Sequence, residues 1–119
     1  MLSRLLALLI AALVLLPAQA ARAAEVLQVR SGNLLQVGDH NRTYTVELAC
    51  VALPAGGDQA AADWLRTALP RRTKVNLRPV GNSQGVLLAR VQRLGGDPAT
   101  ADLGQGLVAA GLATAEPGC

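Results

Sequence analysis

The sequence predicts an α+β domain that is mainly β: five short strands closing into a small barrel, with a helix between strands 3 and 4 and a helix after strand 5. Three observations carry this. Short runs of alternating apolar and polar residues recur between clusters of Gly, Asn, Asp and Ser, the pattern of half-buried strands joined by tight turns. Ala61, Trp64, Leu65, Ala68 and Leu69 instead repeat at helical spacing and form one apolar face. The 119-residue length makes one domain the starting expectation.

The first residues fall outside that domain. Arg4 provides a short positive start, Leu5 to Leu16 is an unbroken apolar run of twelve residues, and Pro17 closes it. Ala18-Gln19-Ala20 and Ala21-Arg22-Ala23 follow as small-residue processing sites. This is the pattern of a secretory signal peptide over residues 1–23, cleaved after Ala20 or Ala23. The alternative, a membrane anchor, needs ~20 apolar residues, so cleavage is favoured. No cysteine stands just after the run, so a lipoprotein anchor is not supported. The expected product, residues 24–119, is exported, secreted or periplasmic, and free of the membrane.

Glu25 to Arg30 reads as the first strand, Ser31-Gly32-Asn33 as a tight turn, and Leu34 to Val37 as the returning strand. Gly38 to Asn41 is a second turn cluster, and His40, the sole histidine, is expected there as a solvated residue. Thr43 to Val51 is a β-branched, alternating third strand ended by Pro54. Asp58 is a candidate N-cap for the helix that carries Trp64 on its apolar face, and Pro70 stops that helix. Thr73 to Arg78 reads as strand four, ended by Pro79; Gly81 to Gly85 is a turn, and Val86 to Leu94 is strand five. Asp97-Pro98 reads as the start of the second helix, with Leu103, Leu107 and Val108 on a narrow apolar face and Gly111 as its C′ glycine. Three strands, a helix, two strands and a helix suit a barrel of the OB type.

Composition narrows the function. There is no Phe, one Trp and one Tyr, so Leu, Val and Ala must fill the core and few rings are available to stack on bases. The formal charge of +3 comes from 11 basic and 8 acidic residues; without Arg4 and Arg22 nine basic residues face the same eight acids, a net of +1. Such a balance gives little reason to expect a nucleic-acid partner. Arg71, Arg72, Lys74 and Arg78 are the densest cationic run, a candidate anion-binding cluster or a solvated helix end and strand face. Cys50 and Cys119 are the two cysteines; in an exported chain an even pair predicts a disulfide. That bond would close a loop of about 69 residues, worth about 4 kcal/mol in the chain-entropy view. Ser31 has no nucleophile-elbow setting, and a single histidine supports no zinc site of the usual kind.

Four landmarks in order resemble the thermonuclease-like (staphylococcal nuclease) domain: VRSGNLLQV from Val29, VELACVALPA from Val46, AADWLRTALPRRTKVNLRP from Ala61 and LGQGLVAAGLATA from Leu103. The resemblance spans Val26 to Ala115 and implies an OB-type barrel. For the family it also implies calcium-dependent hydrolysis of DNA and RNA, with aspartates holding the metal, a glutamate serving or supporting the base, and two arginines facing the phosphate. The turn Asp-Gly-Asp-Thr falls on Ser31, Gly32 and Asn33; the strand-three arginine falls on Glu47. The metal aspartate falls on Ala52, the glutamate on Ala55, and the arginine before strand five on Val86. Calcium takes six to eight oxygen ligands, with carboxylates supplying most of the affinity; a hydroxyl, an amide and methyl groups do not meet that demand. Glu47 would repel the phosphate that an arginine attracts. Asp58 is a candidate stand-in for the lost glutamate alone.

The expectation is an inactive nuclease-like module without a cofactor, monomeric, whose partner the residues do not name. Its competitors are a metal-dependent phosphodiesterase with replaced residues and a weak binder of nucleic acid or another polyanion through Arg71 to Arg78.

Overall fold

The computed structural model describes residues 23–98 and 101–117. The expected signal segment before residue 23 and Cys119 lie outside the described residues. The elements are β1 (Ala24–Val29), β2 (Leu34–Asp39), β3 (Arg42–Leu48), β4 (Val51–Ala52), α1 (Asp58–Ala68), β5 (Lys74–Ser83), β6 (Val86–Arg93), α2 (Leu103–Ala109) and β7 (Thr114–Ala115).

Five strands close into a barrel in the order β1-β2-β3-β6-β5, and β4 pairs with β7 in a separate two-stranded sheet. β1 closes on β5 through Ala24 opposite Val75 and Glu25 opposite Lys74. All barrel pairs are antiparallel except β3 with β6, where Val46 stands beside Leu87 and Leu48 beside Ala89. A mixed, closed five-stranded barrel of this order fits the OB type.

Alternation explains the interior except in β1, where a register shift between Val26 and Gln28 turns Val29 inward in place of Gln28. Val26 and Val29 of β1, Leu35 and Val37 of β2, Val46 and Leu48 of β3, Val75 of β5, and Ala89 and Val91 of β6 are all buried. Ala61, Ala62, Leu65 and Leu69 from α1 and Leu103 and Leu107 from α2 join the same cluster. The buried apolar set consists of Ala, Val and Leu among the described residues, so small side chains set the spacing between helices and barrel. Trp64 lies partly buried at the rim of this core. It spreads over α2 at Gly106, where an added Cβ would come within 2.5 Å of the indole. The two helices approach this closely because one of them has no side chain at the contact.

Four local expectations are corrected. The third strand does not run to Val51: it breaks after Leu48, and Cys50 adopts φ 70. That left-handed residue turns the chain out of the barrel ladder, so Val51 and Ala52 pair with Ala115 and Thr114 instead. Pro79 does not end strand four. The strand continues to Ser83 through a register shift between Pro79 and Gly81, the kind of irregularity that accommodates a residue with no N–H to donate. The turn is consequently only Gln84-Gly85, both at positive φ (52° and 78°), the geometry of a type I′ hairpin.

Asp58 is not the N-cap of α1; Gly57 occupies that position without a side-chain cap, because the Asp58 carboxylate is engaged elsewhere. Finally, α2 starts at Leu103 rather than at Asp97-Pro98. Asp102 is its N-cap and accepts a hydrogen bond from the Gln105 N–H at 3.0 Å. At the far end the Leu112 N–H donates to the Leu107 carbonyl and the Gly111 N–H to the Val108 carbonyl. This is a Schellman closure, with Gly111 at φ 76.

Gly32 and Gly81 offer a contrast. A Cβ on Gly32 would lie 2.7 Å from the Asp58 carbonyl oxygen, 2.8 Å from Leu53 Cδ1 and 2.9 Å from Ala61 Cβ, whereas one on Gly81 would meet open space. Gly32→Ala is expected to lose ~1–3 kcal/mol through overpacking against backbone, and Gly81→Ala to stay within about 0.5 kcal/mol of the parent. Urea unfolding midpoints of the two variants check this.

Candidate functional site

The β1–β2 turn is built from short local bonds. The Arg30 N–H donates to the Leu34 carbonyl at 2.9 Å, and the Ser31 hydroxyl donates to Asn33 Oδ1 at 3.4 Å. At its tip the Gly32 N–H donates to Asp58 Oδ1 at 2.9 Å. The first residue of α1 is therefore tied to the turn, and Gly32 is buried beneath it. The Asn33 carbonyl accepts from the Leu48 N–H at 2.9 Å, which anchors the other end of the turn on β3.

Glu47 lies on the outer surface of β3, since Val46 and Leu48 on either side point into the barrel and are buried. It stands between Leu34 of β2 and Leu88 of β6, and Gly81 of β5 continues the row beyond Leu88. Gln36, Thr45, Val86 and Ser83 form the parallel row beside it. Together with the tip of the β5–β6 hairpin these rows enclose a concavity of ≈ 420 Å³, lined by Leu34, Glu47, Gly81, Asn82, Ser83, Gln84, Val86 and Leu88.

Of the family-matched positions, Glu47 and Val86 meet in this concavity, and Ser31, Asn33, Ala52 and Ala55 do not line it. Ala52 is in the β4–β7 pair, where its carbonyl accepts from the Thr114 hydroxyl at 3.4 Å. Ala55 is exposed in the loop before α1. The donor set does not fit calcium: the concavity carries one carboxylate, and the Ser31 hydroxyl is already bonded to Asn33. Among the described residues no cluster of three His, Cys, Asp or Glu side chains converges on a metal-binding geometry.

The cationic run does not form one patch. Arg71 lines a groove with Val26 to Val29 and the end of α1. Arg72 is exposed at φ 71, and its N–H donates to the Val26 carbonyl at 2.7 Å. Lys74 Nζ lies 3.3 Å from Glu25 Oε1, an exposed pair that partly neutralises it. Arg78 is exposed on β5 opposite Arg90. His40 is exposed in the β2–β3 turn at φ 54.

Two features had no signal in the sequence. The Asp58–Gly32 bond joins residues 26 positions apart. A second concavity of ≈ 390 Å³ gathers Cys50, Arg90, Asp102 and Glu116 between β4, α2 and β7, and it exists only because β7 folds back along β4. No family model matches this chain, and no curated protein matches it significantly in sequence.

Because the Gly32 N–H is buried at the turn, Asp58→Ala is expected to cost ~1–2 kcal/mol through the orphaned donor. Asp58→Asn, which keeps an acceptor oxygen, retains most of that stability. Chemical unfolding of both variants beside the parent provides the measurement.

Proposed function

We propose that this chain is an exported, non-catalytic member of the thermonuclease-like barrels, retained as a small binding or structural module. The observation that carries the reading is the charge of the β2–β3–β6 face. The two positions matched to the family's phosphate-facing arginines are Glu47 and Val86, and on this face Glu47 stands alone among neutral side chains. General acid–base help is worth about 10²–10⁴-fold and charge stabilisation about 10²–10³-fold, and the lining residues supply no arrangement for either. Asp58 does not compensate, since its carboxylate holds the Gly32 N–H. The four-landmark resemblance and the barrel's strand order support the family reading, and the apolar leader followed by small-residue processing sites supports export.

The Cys50–Cys119 disulfide belongs to the same proposal. The Glu116 N–H donates to the Cys50 carbonyl at 2.9 Å, and Thr114 and Ala115 pair with Ala52 and Val51. The chain therefore runs back beside Cys50 only three residues before Cys119. A covalent bond there would fasten the β4–β7 pair outside the barrel.

Purified protein incubated with single-stranded DNA or RNA and calcium is expected to give no hydrolysis. Turnover that a chelator abolishes would overturn the non-catalytic reading. Intact mass under non-reducing conditions is expected to lie two hydrogens below the dithiol value; the full dithiol mass would remove the disulfide.

A further inference from the structure

Glu47 is the one ionisable side chain lining the ≈ 420 Å³ concavity. It is half-buried, flanked in its row by Leu34 and Leu88. Neither Arg66, which pairs with Asp63, nor Lys74, which pairs with Glu25, reaches it, and among the described residues no cation lines the concavity beside it. Arg90, two residues beyond Leu88 on the same outward-facing side of β6, lines the other concavity, with Asp102 and Glu116. A carboxylate held between leucines loses part of its hydration, and a cation of a partner restores the missing interaction. An anion, phosphate included, meets only repulsion.

We infer that this face is a docking site for a cationic side chain of a partner polypeptide, with Glu47 as the receiving charge. The inference rests on the non-catalytic reading of the same face. Charge complementarity selects the sign of the ligand, and the lining selects its shape. Leu34, Val86 and Leu88 offer aliphatic surface to the methylene stem of a long side chain. The side-chain oxygens of Asn82, Ser83 and Gln84 stand at the exposed hairpin tip, where they can accept N–H bonds that Glu47 does not. A guanidinium has five donors in a planar fork and an ammonium three, so arginine is preferred to lysine. One side chain in one shallow site gives weak affinity, of the order of 0.1–1 mM for a short peptide.

The test is a ¹H–¹⁵N NMR titration of the purified protein with a blocked Gly-Arg-Gly peptide, and with blocked Gly-Glu-Gly, calcium and a short single-stranded DNA as separate arms. The arginine peptide is expected to shift the amides of Leu34, Glu47 and Gly81 to Leu88, and the other three are expected to leave them in place. Glu47→Gln should weaken the arginine peptide about tenfold or more with an unchanged melting temperature. Thr45→Glu, which adds a second carboxylate on the neighbouring row, should tighten it. Absence of shifts up to ~10 mM peptide, equal binding by Glu47→Gln, or shifts of these amides by DNA, calcium or the glutamate peptide would each overturn the proposal. Lack of both hydrolysis and arginine binding would sink this inference alone, whereas calcium-dependent hydrolysis would sink the reading beneath it.

Discussion

The contact between the β1–β2 turn and the first turn of α1 is the constraint on which the rest of the architecture depends. Gly32 brings its backbone against the Asp58 carbonyl and the Ala61 methyl and donates its N–H to the Asp58 carboxylate. This fixes where α1 begins, and so places Ala61, Leu65 and Leu69 over the barrel. It also assigns the turn a structural task. Gly32 has no positive φ, so its lack of a side chain matters for close approach and not for turn conformation. An acidic residue that a functional argument would recruit as a spare base is occupied in holding two elements together.

A second close approach has the same origin. With a core restricted to Ala, Val and Leu, volume must come from bringing elements near one another. Trp64 and Tyr44 are the aromatic side chains packed against that core, and Gly106 accepts the indole. Glycine inside a seven-residue helix costs about 1 kcal/mol in propensity; the indole contact, the Asp102 cap and the Schellman closure offset that cost. Neighbouring features compensate one another, so the short helix is read correctly only with all of them in view.

Charge organises the outer surface. The face shared by β2, β3 and β6 combines neutral amides, aliphatic side chains and one carboxylate, while the nearest arginine on that strand lines the other concavity with two acids. Lys74 is matched by Glu25 across the β1–β5 seam. The cationic residues that look clustered between Arg71 and Arg78 are strung along a turn and a strand, because extended chain separates residues i and i+4 by roughly 13 Å. Sequence density is a poor guide to surface density once the chain is a strand.

The mainly β class and the helical face containing Leu65 are legible in the chain itself, because burial alternates with period two in strands and follows a 3.6-residue period in helices. Also legible there is the replacement of the residues that the resemblance would call for by Ser31, Asn33, Glu47, Ala52, Ala55 and Val86, which is a matter of composition. Tertiary structure alone decided the rest. Gly57 took the cap of α1 while the Asp58 carboxylate accepted from the Gly32 N–H, 26 residues away. Pro79 stayed inside a strand because a register shift removed the need for its N–H. The third strand stopped at Leu48 and Cys50 turned the chain aside at positive φ, where the C-terminal segment met Val51 and Ala52 as a different partner. Each of these outcomes depends on a backbone group brought near by the fold, and no local pattern records such a partner.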